Sequence, residues 1–218
     1  MYITIREDNM ALSRKTFPTN KVRNYYNDVR SELRNGDVVL CSGTGFFSAM
    51  IQNATDSVWS HVAFVLRLDE IDRIILLESV ESIGVRTVRL SKYLENYKKD
   101  GNPYPGGIAV IRHTEFESVA KHGALTQLSQ FAIDQFGYPY DNDEIAKIAA
   151  RIMASRIPFS KKQKKKIEPD SEYICSEYVA RCYEEAGLKV KWNELGFIAP
   201  GDFADDPNFE LVAVLQRK

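Results

Sequence analysis

Four apolar, β-branched runs dominate the first half of the chain: HVAFVLRL (61–68), RIILLES (73–79), GVRTVRL (84–90) and GIAVIR (107–112). Parallel pairing needs a crossover of a dozen or more residues, whereas antiparallel strands are joined by short turns. Their close succession therefore predicts antiparallel meanders. In TNKVRNYYNDVRSELRNG (19–36), Thr19 is placed to cap, and Val22, Tyr25, Tyr26, Val29 and Leu33 form one stripe. Gly36 lies just past the end, so a helix is expected over 19–34. GDVVLCSG (36–43) reads as a short buried strand, and TGFFSAMIQNAT (44–55) as a helix opening from a glycine-containing loop. A long helical stretch is expected from about 115 to 136, closed by Gly137 and Pro139; EIAKIAARIMASRI (144–157) reads as a helix apolar on most sides, and ELVAVLQR (210–217) as a last strand. Strands grouped between helices predict an α+β architecture, not a doubly wound sheet.

A chain of 218 residues supports one sizeable core but not two ordinary domains and a linker. One domain over 1–218 is expected, with helix 19–34 as an extension. A formal net charge of -1 provides no field toward nucleic acid or anionic lipid. Cys41, Cys175 and Cys182 form no CxxC pair, which favours reduced thiols. No cysteine–histidine spacing resembles a zinc ligand set, so neither metal nor other cofactor is expected. No apolar run is long enough to span a membrane, and MYITIREDNM lacks the layout of a secretion signal. The expected location is cytoplasmic or peripheral to a membrane.

Within YICSEYVARCYEEAGL (173–188), Cys175, Val179, Cys182, Tyr183 and Ala186 share one helical face, and Gly187 stops the helix. Cys182 in mid-stripe and Cys41 inside an apolar strand read as core residues. Cys175 falls in the first helical turn, where unpaired N–H groups and the positive dipole end favour a thiolate and can bind an oxyanion. A nucleophilic thiol also needs a base and an orienting group. His122 lies among charged residues on a helix and is expected to be exposed, while His113 follows a strand end and reads as a turn residue. His61 opens an apolar strand after Trp59 and Ser60. Glu78 closes the next apolar run, where a charge is costly without a partner. Antiparallel pairing of those two strands brings Glu78 toward His61.

These stretches resemble the NlpC-type papain-like amidases. YICSEYVARCYEEAGL is similar to their nucleophile helix, SHVAFVL to their S-H-V-G-I-Y strand, ILLESVESIGVRTV to the strand and turn after it, and FGYPYDND to a G-x-P-Y segment that sets a tyrosine beside the cysteine. The order His61, Glu78, Tyr140, Cys175 is that of the circularly permuted papain-like enzymes, the YiiX-like group, with the lecithin:retinol acyltransferases as more distant relatives. LRNGDVVLCSG and IAPGDFADD also resemble segments of that group, so the likeness spans about 33–205. Two departures stand out. C-S-E replaces the C-S-G of the usual signature, and Glu78 stands where many members carry histidine or another polar residue.

The resemblance implies a permuted papain-like fold, with an antiparallel sheet or barrel packed against helices that include the nucleophile helix. It implies Cys175 as nucleophile, His61 as base, Glu78 as the group orienting His61, and Tyr140 with the Cys175 N–H as oxyanion donors. The implied activity is amide or peptide hydrolysis through a thioester, on an acylated amino acid, a lipid-linked substrate or a cell-wall-type peptide. Acyl transfer from a lipid is the alternative, and a non-catalytic binding module of the same fold a third reading. Ser60, beside His61, is a candidate substrate contact. Glu177 and Asp202 are candidates to meet a cationic substrate group, or are simply solvated. The basic run FSKKQKKK (159–166) after an apolar helix fits either peripheral membrane contact and an acyl-chain grip or a core helix followed by a solvated loop.

Overall fold

The computed structural model describes residues 12–141, 174–193 and 197–216. Its frame is an open seven-stranded sheet in the order β1-β7-β6-β2-β3-β4-β5. The strands are β1 (Val22–Asn24), β2 (Asp37–Gly43), β3 (His61–Leu68), β4 (Arg73–Val80), β5 (Gly84–Arg89), β6 (Gly106–His113) and β7 (Phe209–Gln216). All pairs are antiparallel except β1 with β7. Among the described residues six α-helices accompany them: α1 (Phe46–Thr55), α2 (Leu90–Glu95), α3 (Phe116–Ala120), α4 (Ala124–Asp134), α5 (Cys175–Glu185) and α6 (Pro200–Asp205). The molecule is thus α+β. Among the described residues no helix is long and apolar enough to cross a membrane.

Both faces of the sheet are covered, which explains why Val38, Val39, Leu40 and Cys41 on the central β2 are all fully buried. The two-residue period of a strand sorts them. Val38 and Leu40 join Val62, Phe64, Leu77 and Ala109 beneath α4 and α5. Val39 and Cys41 join Ala63, Val65, Leu76 and Val110 beneath Tyr25, Val29, Leu33 and the residues of α2. Cys182 lies wholly within the first layer, and burial pushes its thiol and that of Cys41 up, so both stay protonated.

The meander holds for β3, β4 and β5 but ends there. β6 lies on the other side of β2, reached by a crossing over residues 90–105 that carries α2. Leu90, expected to end a strand, instead opens that helix. Residues 19–34 are also not one helix: a 3-10 turn (Thr19–Lys21) leads into β1, and a single π-helical turn (Tyr25–Val29) follows. The free edge of β7 supplies backbone partners that win over helix propensity, leaving Val22 and Tyr26 nearly half exposed. Tyr25, Val29 and Leu33 still bury as the stripe required. The 115–136 stretch breaks into α3 and α4 at Gly123, whose φ of 88° is a left-handed conformation that a residue with a Cβ resists. His113 is no turn residue. It ends β6 almost fully buried, its ring 5.0 Å from Phe209 and 5.8 Å from Tyr183. His122 is exposed. The apolar 144–157 stretch and the basic 159–166 run lie outside the described residues.

Candidate active site

Cys175 is the first residue of α5, and Ile174 before it is extended with no side-chain cap. The N–H groups of the first turn therefore open toward whatever sits at Cys175. Ser176 anchors that end by donating to the Ile198 carbonyl at 2.7 Å. The helix lies across β3 and β4, which sets Cys175 against the start of β3.

His61 opens β3, and with Phe64 opposite Leu77 it falls diagonally across the strand pair from Glu78. Long side chains on one face bridge such a diagonal. His61 Nε2 lies 2.8 Å from Glu78 Oε2. Cys175 adjoins the ring: the two line one cavity, and Cys175 is first among the partners that favour charge on the imidazole. Burial opposes charge on the imidazole, but Cys175 and Glu78 outweigh it and push the ring up to about 10.

Glu78 is fully buried. The register of the β4–β5 hairpin sets Arg86 directly opposite it, and the guanidinium contacts Oε1 through Nε at 2.9 Å and Nη2 at 2.8 Å. Tyr93, on α2, donates its hydroxyl to Oε2. Burial alone would favour the neutral acid, but His61, Arg86 and Tyr93 together hold the carboxyl below the usual carboxylate range. Arg86 and Tyr93 were missed in the sequence. Arg86 could be found by counting the hairpin register from Glu78, whereas nothing near Tyr93 in the sequence points to it.

Tyr140 is buried, with its ring 6.0 Å and edge-on from Phe47, and it lines the same cavities as Cys175. Burial, then the nearness of Cys175, push its phenol well above the ordinary value, so it remains a donor. The segment that carries it is pinned to β5, where Val85 N–H donates to Tyr138 O at 2.9 Å and Gly137 N–H to Val85 O at 3.1 Å. Gly84 makes this approach possible: its φ is 84°, and a Cβ there would stand 2.0 Å from the Tyr138 carbonyl oxygen. Gly84→Ala should therefore cost at least about 2 kcal/mol from left-handed strain alone and displace Tyr140. Urea unfolding and the near-ultraviolet tyrosine dichroism check it; an unchanged midpoint would remove the clamp.

Of the remaining expected contacts, Ser60 lines the site and the two carboxylates do not. Ser60 is buried in the wall of the larger cavity, but its oxygen accepts from Gly43 N–H at 3.0 Å and donates to Cys41 O at 3.3 Å. Glu177 is buried with Arg181 at 3.6 Å along the helix. Asp202 pairs with Arg14 and accepts from Asn193 Nδ2 at 3.1 Å and the Ala199 N–H at 2.8 Å. Neither carboxylate lines a cavity that reaches Cys175.

Two cavities meet at Cys175, Tyr140 and Ile51. One, of about 420 Å³, runs between α1 and residues 197–200. The other, of about 910 Å³, is walled by His61, Ser48, Ser79, Glu81, Lys98 and Tyr104 among others.

A seven-stranded α+β sheet with a buried Cys–His–Glu chain at one end defines the class. No protein-family model matches the chain, and no curated protein matches it in sequence. Among solved structures it resembles that of metalloprotein yiiX from Escherichia coli O157:H7, assigned to DUF1105, with a TM-score of 0.56. Identity is 21%, over 83% of this chain and 96% of that one, so the likeness is one of fold.

Proposed function

We propose that the chain is a cysteine-dependent amide hydrolase with a circularly permuted papain-like arrangement, acting through a thioester. The observation that carries this reading is the His61 ring, 2.8 Å from a buried Glu78 held below the usual carboxylate range, in a cavity it shares with Cys175. A core cysteine has no use for such a chain; a nucleophile requires it. The order His61, Glu78, Tyr140, Cys175 along the sequence supports the permuted form, as does the fold shared with yiiX.

In the first half-reaction the Cys175 thiolate attacks the substrate carbonyl carbon, forming the C–S bond and moving the π pair onto oxygen. The Cys175 N–H and the Tyr140 hydroxyl receive that oxyanion, and one such donor is worth about 3 kcal/mol. As the tetrahedral species collapses, the C–N bond breaks and His61 gives its proton to the departing amine. Water then attacks the thioester while His61 accepts its proton, and the carboxylic acid leaves with Cys175 restored. Glu78 holds the imidazole in one orientation throughout and balances its charge.

The neighbour yiiX is described as a metalloprotein. The donor set here does not fit a metal at this site. Both Glu78 oxygens and the His61 Nε2 are already engaged, and among the described residues no group of three or more His, Cys, Asp or Glu side chains is arranged to hold one. No step is therefore routed through a metal.

Iodoacetamide alkylation with peptide mapping, alongside hydrolysis of p-nitrophenyl acetate, tests the reading. Cys175 should react faster than the buried Cys41 and Cys182. Cys175→Ser and His61→Ala should each cut ester turnover at least roughly a thousandfold, and Glu78→Gln should impair it less. Full turnover by His61→Ala would sink the scheme.

A further inference from the structure

The two cavities that meet at Cys175 differ in chemistry, and the difference assigns the two halves of the substrate. The smaller is formed by Met50, Ile51 and Ala54 of α1 together with Ile174, Phe197 and Ile198. Two hydroxyls stand in its wall, and both are turned away from it. Thr55 donates to the Ile51 carbonyl at 2.8 Å, and Ser176 donates to that of Ile198 at 2.7 Å. Apart from the reacting thiol and the Tyr140 phenol at its mouth, the described residues of the slot offer a ligand nothing but carbon. The larger cavity is mixed: Phe46, Phe47, Val80 and Pro105 share its wall with Glu81, Lys98, the hydroxyls of Ser48, Ser79 and Tyr104, and His61, which delivers the proton to the leaving group.

We infer that the apolar slot binds the acyl part of the substrate, an alkyl or other hydrocarbon chain, and that the mixed groove takes the amine or alcohol that departs. This rests on the thiol reading above and narrows it, since a polar cell-wall peptide would bring hydrogen-bonding groups to a wall that cannot answer them. The assignment follows from two constraints. The carbonyl carbon must lie over Cys175, so the groups on its two sides enter different cavities. The leaving atom must face His61, and His61 lines the groove and not the slot.

Two ester series, read by the rate of acylation of Cys175, separate the possibilities. In the first the chain lengthens on the acyl side (p-nitrophenyl acetate, butyrate, octanoate). In the second it lengthens on the leaving side (S-ethyl, S-butyl and S-octyl thioacetate). Each buried methylene is worth about fourfold, so butyrate should acylate roughly fifteenfold faster than acetate, with a weaker length dependence in the second series, whose chain meets a mixed wall. Ala54→Leu, which fills the slot from α1, should drive the octanoate-to-acetate ratio toward one, and Ala199→Leu provides the same test from the opposite wall. Length dependence confined to the leaving side would overturn the assignment. So would none in either series while acetate still acylates Cys175, and then the thiol reading would stand. A folded protein that no ester acylates at Cys175 would overturn both.

Discussion

Arg86→Met should lower the stability of the protein by about 3 kcal/mol, because it strips a fully buried carboxylate of its only strong cation beside the imidazole. Glu78 has no solvent to fall back on, and its remaining partners are one ring nitrogen and one phenol. The Arg86 side chain is itself 22% exposed, which places the cost at the lower end for breaking a buried pair. For a chain of this size the loss appears as a fall in Tm of roughly 6–12 °C. In urea the midpoint should drop with little change in slope. The double variant Arg86→Met with Glu78→Gln should be more stable than Arg86→Met alone, since no buried charge is then left uncompensated. A Tm for Arg86→Met within a degree of the parent would mean that Arg86 is a surface ion pair and not the counterion of the site.

That arginine also marks where sequence reading gives out. Cys175, His61 and Glu78 each looked anomalous in its own local pattern: a thiol in a first helical turn, an imidazole at a strand mouth, and a carboxylate closing an apolar run. Local anomalies of this kind are legible because burying an ionisable group without a partner costs more than most folds tolerate. Arg86 is locally ordinary, one polar position in an alternating strand. Its role exists only once β4 and β5 are paired in one register, and Tyr93 needs the further turn into α2. Ser60, Glu177 and Asp202 show the converse. Each is a polar group near a motif, yet each is drawn in the structure to backbone or a neighbouring side chain of its own.

The fold divides along the same line. Apolar, β-branched composition between short turns identified β2, β3, β4 and β5, since their burial follows directly from residue type. It could not show that β6 leaves the meander to pair with β2, because residues 90–105 are long enough either to turn or to cross. Nor could it show that Val22–Asn24 abandons its helical stripe for the open edge of β7, a choice made by a strand almost two hundred residues away. Placing β6 and β7 on the far side of β2 leaves β3 and β4 to be covered by α5, and the first residue of that helix, Cys175, comes to the end of the sheet where His61 opens β3.

The charge on that imidazole has a pH signature of its own. With its ring pushed up to about 10, His61 should stay protonated through neutrality and lose its proton only well into the alkaline range. In the unfolded chain the same ring titrates near 6.5. The folded value is the higher one, so the stability this group contributes is fully present below about pH 6.5 and is lost as pH rises toward 10. At 1.36 kcal/mol per unit the ceiling on that contribution is roughly 5 kcal/mol. Glu78 works in the opposite sense: held low, it contributes stability that disappears only as pH falls through its depressed value. Unfolding free energy measured from pH 6 to 10 should therefore decline more steeply in the parent than in His61→Gln. That difference isolates the histidine from the tyrosines and thiols that also titrate at high pH. Nuclear magnetic resonance of the His61 ring gives the same quantity directly, with a midpoint near 10 in the parent and a lower one in Cys175→Ala, which removes its leading favourable partner. A parent midpoint close to 6.5 would show that thiol, ring and carboxylate do not act as one charged unit, and the proposed nucleophile would lose its base.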